Sequence, residues 1–516
     1  MASNTGKRQH IAIVGGGAAG MACAATLAQH PDKFEITLIE KEAVVGGQAT
    51  SIDLDNQQHG ASWMNNGVQG GSAIFKHTFM FFQKYGYPAQ EVRLQVSFGK
   101  GKDRFWTNCF PSPLVKQFDS DIKRFGTFLK VIKWSLPVLG IIPISVMLKV
   151  FFFSKDFGDK MVYPLIALFL GTGNQTASVP SGIVERLFND PNMKLWDYDS
   201  ATLLPNLPTM YTFGKLHDFY SKWREDLTSK GVSFVMETEV HRTVSRSKNN
   251  VILELRNTRS KEERQETFDK VVFCSLADET LRILGKSATW REKFVLGGAT
   301  FYDDITVTHT DNRYFNEHYE THFKSELCAE PTTEAQRKQI AFANPPVSDP
   351  DTGFRPMYYT YTYENNPKLI EMSFNCTNYQ HQFRQNETSN EAVSKPVYQT
   401  IFLNKQQRDL WTIGQIDEGQ IIKKNWWHQL GHRWLHYLRV VPNMMFIQGR
   451  NSTYFAGSWT LVNMHEVACV SGIAAAYHIG ADYDKFDKFA TDFFSKYLLL
   501  SHGLIFSRQE KKRRQS

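Results

Sequence analysis

The chain has 516 residues, of which 42% are hydrophobic and 22% charged, a balance that excludes a disordered protein and predicts two or three domains with substantial cores. Its net charge of +7 is concentrated in Arg508–Ser516, which holds five basic residues and one acid. The remainder is close to neutral, so a basic surface for nucleic acid is not expected. We predict no nucleic-acid partner.

The first predicted element is a strand–helix–strand unit over His10–Glu42. A buried strand at Ile11–Val14 leads into the pattern G-x-G-x-x-G, and an acid follows twenty residues after its last glycine. This arrangement is typical of a dinucleotide site, in which the start of the helix binds the pyrophosphate and the acid binds a ribose. The residues predicted to bind a cofactor in this unit are Gly15, Gly17, Ala18, Ala19, Gly20, Glu40 and Lys41.

The next distinctive segment is Trp134–Phe153, which is apolar but interrupted by Pro137 and Pro143. A membrane-spanning helix needs about 20 consecutive apolar residues. The uncharged run ends at Leu148, so spanning is disfavoured. Three interpretations stay open: buried core, a wall of a substrate channel, or peripheral contact with a membrane through this segment. The basic C-terminal tail is a second element that an anionic membrane would attract.

Farther along, strand and helix patterns alternate between two units. The predicted fold class is α/β, with a Rossmann-like FAD-binding domain of the glutathione-reductase type interleaved with a mixed-sheet α+β substrate domain. The predicted FAD-binding parts are 8–75, 206–290 and 441–485. The predicted substrate-side parts are a helical, apolar segment at 76–205 and a sheet with helices at 291–440, followed by a C-terminal helix and basic tail at 486–516.

Compartment and metal binding are predicted from the cysteines and histidines. Six cysteines lack CxxC or zinc-like spacing, and the polar N-terminus shows no secretory h-region, so we expect a cytoplasmic protein with reduced thiols, peripheral on a membrane at most. His428, His432 and His436 are spaced by four, which would suit a metal on a helix. An amphipathic helix face is the favoured interpretation, and no metal site is predicted.

A glycine pair after the ribose-binding acid identifies the cofactor more closely. "KEAVVGGQAT" resembles the extended fingerprint of flavoproteins of the glutathione-reductase and amine-oxidase type, with Gln48 where those families carry Arg or Lys. The resemblance implies non-covalently bound FAD. It places "QQHGASWMN" beside the flavin ring and Val240 in a strand that holds the adenine. The cofactor-binding residues that it implies here are Gly46, Gly47, Gln48, Gly60, Ala61, Ser62, Trp63 and Val240.

The stretch "YFAGSWTLVNMHEVACVSG" resembles the C-terminal flavin motif of the flavin amine oxidase and phytoene desaturase superfamily. In that superfamily a strand ends in Ala-Gly and the next helix points its N-terminus at the pyrimidine end of the flavin, where it stabilises negative charge. The residues implied here are Gly457, Ser458, Met464, His465 and Val467. "SW" replaces the usual acid, and Met464 replaces an aromatic residue of the amine cage. Both departures disfavour amine oxidation.

A closer resemblance, covering most of the chain, is to FAD-binding oxidoreductases associated with cyclopropane or branched fatty-acid synthesis. It depends on "VLGGATFYDDITVTHTDNRYF" and on the C-terminal stretch. It implies a hydrophobic small-molecule substrate, lipid or polyketide-derived. The phenylalanine-rich segment Phe125–Phe153 is compatible with such a substrate.

The predicted catalytic residues are His465, Glu466 and His59, because a histidine beside the flavin can take a proton while the ring takes a hydride. Hydrogen bonding without proton transfer is the alternative for His465, and a helix-terminal charge is the alternative for Glu466. The predicted function is an FAD-dependent oxidoreductase, a dehydrogenase or desaturase, that passes a hydride to flavin N5. The alternatives are a double-bond isomerase, an amine oxidase and a non-catalytic flavin-binding partner protein. The electron acceptor stays open.

Overall fold

The computed structural model describes residues 8–136, 138–170, 175–346, 352–384, 395–484 and 486–515, with side chains left out at 169, at 384 and from 511 onward. Its strands are β1 Gln9–Val14, β2 Phe34–Ile39, β3 Ala49–Asp53, β4 Trp63–Gly67, β5 Gly70–Ser72, β6 Gln90–Arg93, β7 Val96–Phe98, β8 Trp106–Thr107, β9 Thr209–Thr212, β10 Ser233–Val235, β11 Thr238–Ser247, β12 Asn250–Asn257, β13 Glu263–Phe268, β14 Lys270–Phe273, β15 Phe301–His309, β16 Tyr358–Thr362, β17 Ile370–Asn375, β18 Tyr398–Ile401, β19 Ile421–Leu430 and β20 Thr453–Phe455.

The α-helices of the same ranges are α1 Ala18–Leu27, α2 Asn56–His59, α3 Lys76–Lys84, α4 Pro113–Gln117, α5 Asp119–Trp134, α6 Ile144–Val150, α7 Lys155–Phe157, α8 Tyr163–Leu170, α9 Ser181–Asn189, α10 Leu216–Ser229, α11 Ala277–Leu284, α12 Trp290–Leu296, α13 Asn312–His318, α14 Glu334–Ala343, α15 Cys376–Tyr379, α16 His381–Arg384, α17 His465–Ile479, α18 Lys488–His502 and α19 Phe506–Gln515. Short 3-10 and π turns connect several of them.

A parallel sheet in the order β10-β2-β1-β14-β20 carries the nucleotide-binding half of the molecule. Its central strand β1 is apolar and buried from Ile11 to Val14, as expected for a strand covered on both faces. The helices α1 and α17 pack against one another beside this sheet. The sheet takes its strands from early, middle and late parts of the chain.

The second large sheet is mixed, in the order β19-β15-β18-β17-β16-β7-β8. Most of its pairs are antiparallel, but β16 and β7 are parallel. The smaller sheets β11-β12-β13, β3-β4 and β5-β9-β6 complete the described strands. The predicted fold class, a Rossmann-like domain interleaved with a mixed-sheet domain, is confirmed. The predicted domain boundaries stay predictions.

The segment around Trp134–Phe153 forms a helical layer. Phe125 and Phe128 on α5 pack on one another and on Phe153, with ring centroids 5.4 to 6.2 Å apart. Phe153 also stacks on Phe157. These four rings are buried in the core, so they fill the layer and do not line a channel. In the part of the chain described, no helix combines the length and apolarity that crossing a membrane requires. The side chains of the basic tail from Lys511 lie outside the described residues.

The stretch Asn425–Tyr437 corrects the sequence interpretation. Up to Leu430 it is a strand and not a helix, because β19 pairs antiparallel with β15 from Ile421 to Leu430. His428 lies on that strand between Asp303 and Asp278, at 2.6 and 2.7 Å, whereas His432 and His436 are buried beyond its end. The spacing of the three histidines by four residues is also found on one face of a helix. Because His428 lies on a strand, the three histidines do not share such a face.

Candidate functional site

The glycine loop between β1 and α1 has the geometry of a dinucleotide site. Gly15 has φ +106°, and a Cβ on Gly20 would lie 1.9 Å from the carbonyl oxygen of Gly15. Neither position accepts a side chain. At Gly17, by contrast, the nearest atom to an added Cβ would be Gly47 Cα at 3.9 Å. The space beside Gly17 is therefore open for a ligand.

The start of α1 carries free hydrogen-bond donors. Gly17 is its N-cap and provides no side-chain cap, and Ala18 and Ala19 occupy its buried first turn. The first N–H groups of a helix have no partner within the helix, and the helix dipole favours an anion there. The loop and the helix start together therefore fit a pyrophosphate.

Glu40 lies where β2 ends, beside the same loop. Its Oε2 accepts a hydrogen bond from Gly16 N at 2.6 Å, and Oε1 accepts one from Glu42 N at 2.9 Å. Burial raises the pKa of Glu40, although both backbone N–H groups act in the opposite direction. Each carboxylate oxygen keeps a second acceptor position, which suits ribose hydroxyls. Lys41 follows, exposed to solvent.

Gly46 and Gly47 close the loop from the other side. Gly46 N donates to Gly16 O at 2.9 Å, and Gly17 and Gly46 form an isolated parallel bridge. Gln48 points elsewhere, because its amide donates to the carbonyl oxygen of His428 on β19 at 3.1 Å. The side chain of Gln48 thus connects the two large sheets, and its predicted contact with the cofactor stays a prediction.

The β3–β4 hairpin separates the predicted flavin-side motif from the glycine pair. Its register pairs Ala49 with Gly67 and Asp53 with Trp63. A Cβ on Gly67 would lie 2.4 Å from Gln48 O, so Gly67 lies against the glycine pair. The residues of the predicted flavin-side motif lie at the opposite end of the hairpin, about 13 Å away for four residues of strand. Their contact with the cofactor stays a prediction; they are Gly60, Ala61, Ser62 and Trp63.

His59 ends the short helix α2 at that far end of the hairpin. It is buried, burial lowers its pKa, and its Nδ1 has no hydrogen-bond partner among the described residues. The hairpin register separates it from the glycine pair. The predicted catalytic role of His59 stays a prediction.

A buried network of side-chain amides holds the Trp63–Gln69 segment, and sequence reasoning missed it. The Oε1 of Gln380 accepts a hydrogen bond from Asn65 N at 2.8 Å, and the amide nitrogen of Gln380 donates one to Gln69 Oε1 at 2.9 Å. Gln399 on β18 donates to Asn66 Oδ1 at 2.9 Å. All of these residues are buried. The sequence signal is that Asn65 and Asn66 are polar residues close to a glycine motif. Their partners Gln380 and Gln399 lie more than three hundred residues away in sequence, so the network itself could not be predicted.

The C-terminal turn brings a second helix start to the same edge of the sheet. After β20, Gly457 adopts φ +139° and donates its N–H to Ser471 Oγ at 2.8 Å. The helix α17 then begins at His465, and its N-cap, Met464, makes no side-chain cap. Because β1 and β20 are parallel members of one sheet, α1 and α17 both start at its carboxyl edge. Ser458, whose hydroxyl donates to Asn463, and buried Val467 flank this turn.

The first two residues of α17 are held by α3 and α10. His465 Nδ1 lies 3.0 Å from Thr78 Oγ1, and its Nε2 lies 2.7 Å from the Tyr220 hydroxyl. Burial lowers the pKa of His465 to about 4, so the ring is neutral at neutral pH. Both ring nitrogens are engaged with neutral hydroxyls. The predicted role of His465 in proton transfer stays a prediction.

Glu466 caps the start of α3. Its carboxylate accepts hydrogen bonds from the backbone N–H groups of His77 at 3.0 Å and Thr78 at 2.8 Å, and it lies 2.6 Å from His77 Nδ1. Burial would raise the pKa of Glu466, but the charge and hydrogen bonds of His77 and Thr78 outweigh it and lower the pKa. These contacts hold the start of α3 against α17, and the predicted catalytic role of Glu466 stays a prediction.

Val240 belongs to β11, which starts beside Glu40. Thr238 N donates to the carbonyl oxygen of Glu40 at 2.9 Å, and Val240 pairs with Leu255 on β12. The side chain of Val240 is buried in the core. The backbone of Val240 lies two residues along β11 from the contact with Glu40. The predicted contact of Val240 with the adenine stays a prediction.

Comparisons with known proteins agree with this geometry. The family description of an NAD(P)-binding Rossmann-like domain matches residues 13–84. No curated protein matches the chain. Among solved structures, a CLA-producing fatty acid isomerase from P. acnes has a TM-score of 0.59 at 11% identity, covering 92% of this chain and 100% of that one.

Two further structures share the fold over nearly their whole length. Cyclohexylamine oxidase from Brevibacterium oxydans IH-35A has a TM-score of 0.57 at 11% identity, covering 92% of this chain and 98% of that one. An oxidoreductase from Methanosarcina mazei has a TM-score of 0.56 at 11% identity, covering 91% and 100%. The class is therefore defined by fold: a chain with an NAD(P)-binding Rossmann-like domain and an architecture shared with the cyclohexylamine oxidase and the fatty acid isomerase.

Proposed function

We propose that this chain is an FAD-dependent oxidoreductase that removes a hydride from an apolar substrate. One observation carries the proposal: the two uncapped helix starts of α1 and α17 meet the same sheet edge, next to the open space at Gly17. An NAD-binding Rossmann domain needs only the first of these helix starts. A second, contributed by the C-terminal turn, suits the negative charge that a reduced flavin ring would carry.

Different residues of the chain bind different parts of the cofactor. The N–H groups at the start of α1 hold the pyrophosphate, and the carboxylate of Glu40 accepts from the ribose hydroxyls. FAD bound in this way supplies a hydride acceptor. The start of α17 faces the growing negative charge, and Thr78 and Tyr220 orient the neutral ring of His465 beside that helix start.

Non-covalent binding is part of the proposal. Burial raises the pKa of the thiol of every cysteine in the chain, namely Cys23, Cys109, Cys274, Cys328, Cys376 and Cys469. A thiol that stays protonated is a poor nucleophile. None is therefore poised to attack a flavin ring.

The substrate class is proposed as a hydrophobic small molecule, lipid or polyketide-derived. The likeness to a protein described as a fatty acid isomerase supports it. The phenylalanine cluster of α5 does not, since those rings are buried against one another. The same likeness favours a second candidate, a double-bond isomerase that uses flavin without net oxidation.

The test is the visible absorption spectrum of the purified protein before and after denaturation, with identification of the compound released. Released FAD supports the proposal. A colourless protein that takes up no added FAD would contradict it. Anaerobic mixing with acyl chains then separates the two candidates: a dehydrogenase bleaches the flavin stoichiometrically, whereas an isomerase converts substrate with the flavin oxidised at the end.

A further inference from the structure

The surface of α5 and α6 exposes several large apolar side chains. On α5, Trp134 is 88% exposed and Val131 lies one turn before it. On α6, Val146 and Val150 are four residues apart and exposed, and Phe152 beyond its end is 83% exposed. Val138 in the connection is exposed as well. Clusters of this kind on a folded protein mark an interaction surface.

Each of the two helices has one side covered by the fold. Both α5 and α6 pack on α9, so their outer faces point away from a shared neighbour. Phe151 and Phe153 at the end of α6 contact Phe128 on α5, with ring centroids 5.2 and 6.0 Å apart. Phe152 lies between those two inward rings and emerges beside α5. We name the set Val131, Trp134, Val138, Val146, Val150 and Phe152 the apolar face.

Phe152 adds evidence of strain. Its φ is +56°, in the left-handed region that a bulky side chain rarely adopts. Such a conformation is costly and persists where the surrounding structure imposes it, often at functional positions. Here the result is an aromatic ring presented to solvent, where it gains nothing from the folded chain.

The segment that carries the apolar face is basic, and Lys133 also lies near the buried Glu185 of α9. Between Asp121 and Asp156 the chain holds six lysines and arginines and no carboxylate. Lys130, Lys133 and Lys149 are exposed, and none of the three forms an ion pair with any residue that the structure describes. Lysines that border exposed aromatic and aliphatic side chains are the composition of helices that lie in a membrane interface.

We propose that the apolar face docks on the surface of an anionic lipid bilayer. Trp134, Phe152 and the valines insert at the level of the headgroups, and the three lysines contact lipid phosphates and carboxylates. The attachment is monotopic. It rests on this surface alone and does not depend on the proposed cofactor.

The experiment is sedimentation of the full-length protein with vesicles of phosphatidylcholine containing about 30% phosphatidylserine, a charge density suited to a lysine-rich site. The double variant Trp134→Ser, Phe152→Ser is expected to bind at least tenfold more weakly. Trp290→Ser is the matched control, because Trp290 is 70% exposed on α12, outside the apolar face. Each variant must keep the wild-type melting temperature.

A second arm tests the charge. The triple variant Lys130→Gln, Lys133→Gln, Lys149→Gln is expected to lose the preference for phosphatidylserine over pure phosphatidylcholine vesicles. The proposal is overturned if wild-type protein does not sediment with either vesicle, or if the double variant binds as tightly as wild type, as it would through the basic tail. It is also overturned if light scattering shows a dimer that the double variant dissociates, because a second copy would then cover the face.

Discussion

At the scale of single residues, the pair Glu466 and His77 shows how a motif can predict the place of a residue without predicting its contacts. The carboxylate is in the helix start that the C-terminal motif predicted, but both of its oxygens are bound to the first turn of α3. A sequence cannot reveal that partner, because His77 lies 389 residues away.

Glu466→Gln should therefore destabilise the fold without changing the chemistry. Removing one member of a buried ion pair typically costs about 3–5 kcal/mol. We expect a lower melting temperature for Glu466→Gln and for His77→Gln, with non-additive effects in the double variant. The flavin content per folded molecule should match wild type. A stable variant that has lost only turnover would instead restore the catalytic interpretation.

Gly17 and Gly20 offer a contrast within one loop. Gly17→Ala places a methyl in open space, so the protein without cofactor should melt at the wild-type temperature while FAD affinity falls at least about tenfold, about 1.4 kcal/mol. Gly20→Ala forces a methyl against the Gly15 carbonyl oxygen and should destabilise the fold itself. Melting curves and FAD titrations of both variants check this. Equal affinity of Gly17→Ala and wild type would mean that the phosphate lies elsewhere.

At the scale of secondary-structure elements, the contact of α17 with α1 decides whether the two helix starts converge. A Cβ on Gly472 would lie 2.0 Å from the carbonyl oxygen of Ala19, so the helices touch backbone to backbone. We expect Gly472→Ala to lower both the melting temperature and FAD affinity, because α17 must move away from α1. Gly414→Ala, with no atom within 4 Å of its new methyl, is the control and should change neither.

The elements also show how far a sequence can predict this molecule. The first strand–helix–strand unit and α17 were predictable because glycine spacing and buried apolar runs are local signals. The place of Gly67 was not, since α2 is inserted between β3 and β4 and a hairpin register depends on partners across the turn. The strand β19 was missed for a similar reason, because its partner β15 is more than a hundred residues earlier.

At the scale of the whole molecule, buried histidines predict acid sensitivity. Burial lowers the pKa of five of them to about 3 or 4, namely His309, His432, His436, His465 and His478. On unfolding each regains a pKa of about 6.5 and takes up a proton below it. Their contribution to stability is therefore present above pH 6.5 and is lost as the pH falls toward 4.

Two buried carboxyl groups act in the opposite direction, because burial raises the pKa of Asp304 and of Glu371 to about 8. Their stabilisation is present below about pH 4, the unfolded pKa, and is lost as the pH rises toward 8. The histidines outnumber them, so we expect a lower melting temperature at pH 5 than at pH 7, measured by calorimetry at constant ionic strength. An equal or higher value at pH 5 would contradict this balance.

The order of the parallel sheet has a consequence for synthesis. Its edge strand β20 and the helix α17 come from residues beyond Thr453, although they complete a pocket begun at Gln9. On the ribosome β1 meets its neighbour β2 early, but α1 waits for more than four hundred residues before α17 arrives. Cofactor capture is thus restricted to a chain that is nearly finished, and a polypeptide that stops before α17 would leave the ribosome with the small residues of α1 exposed.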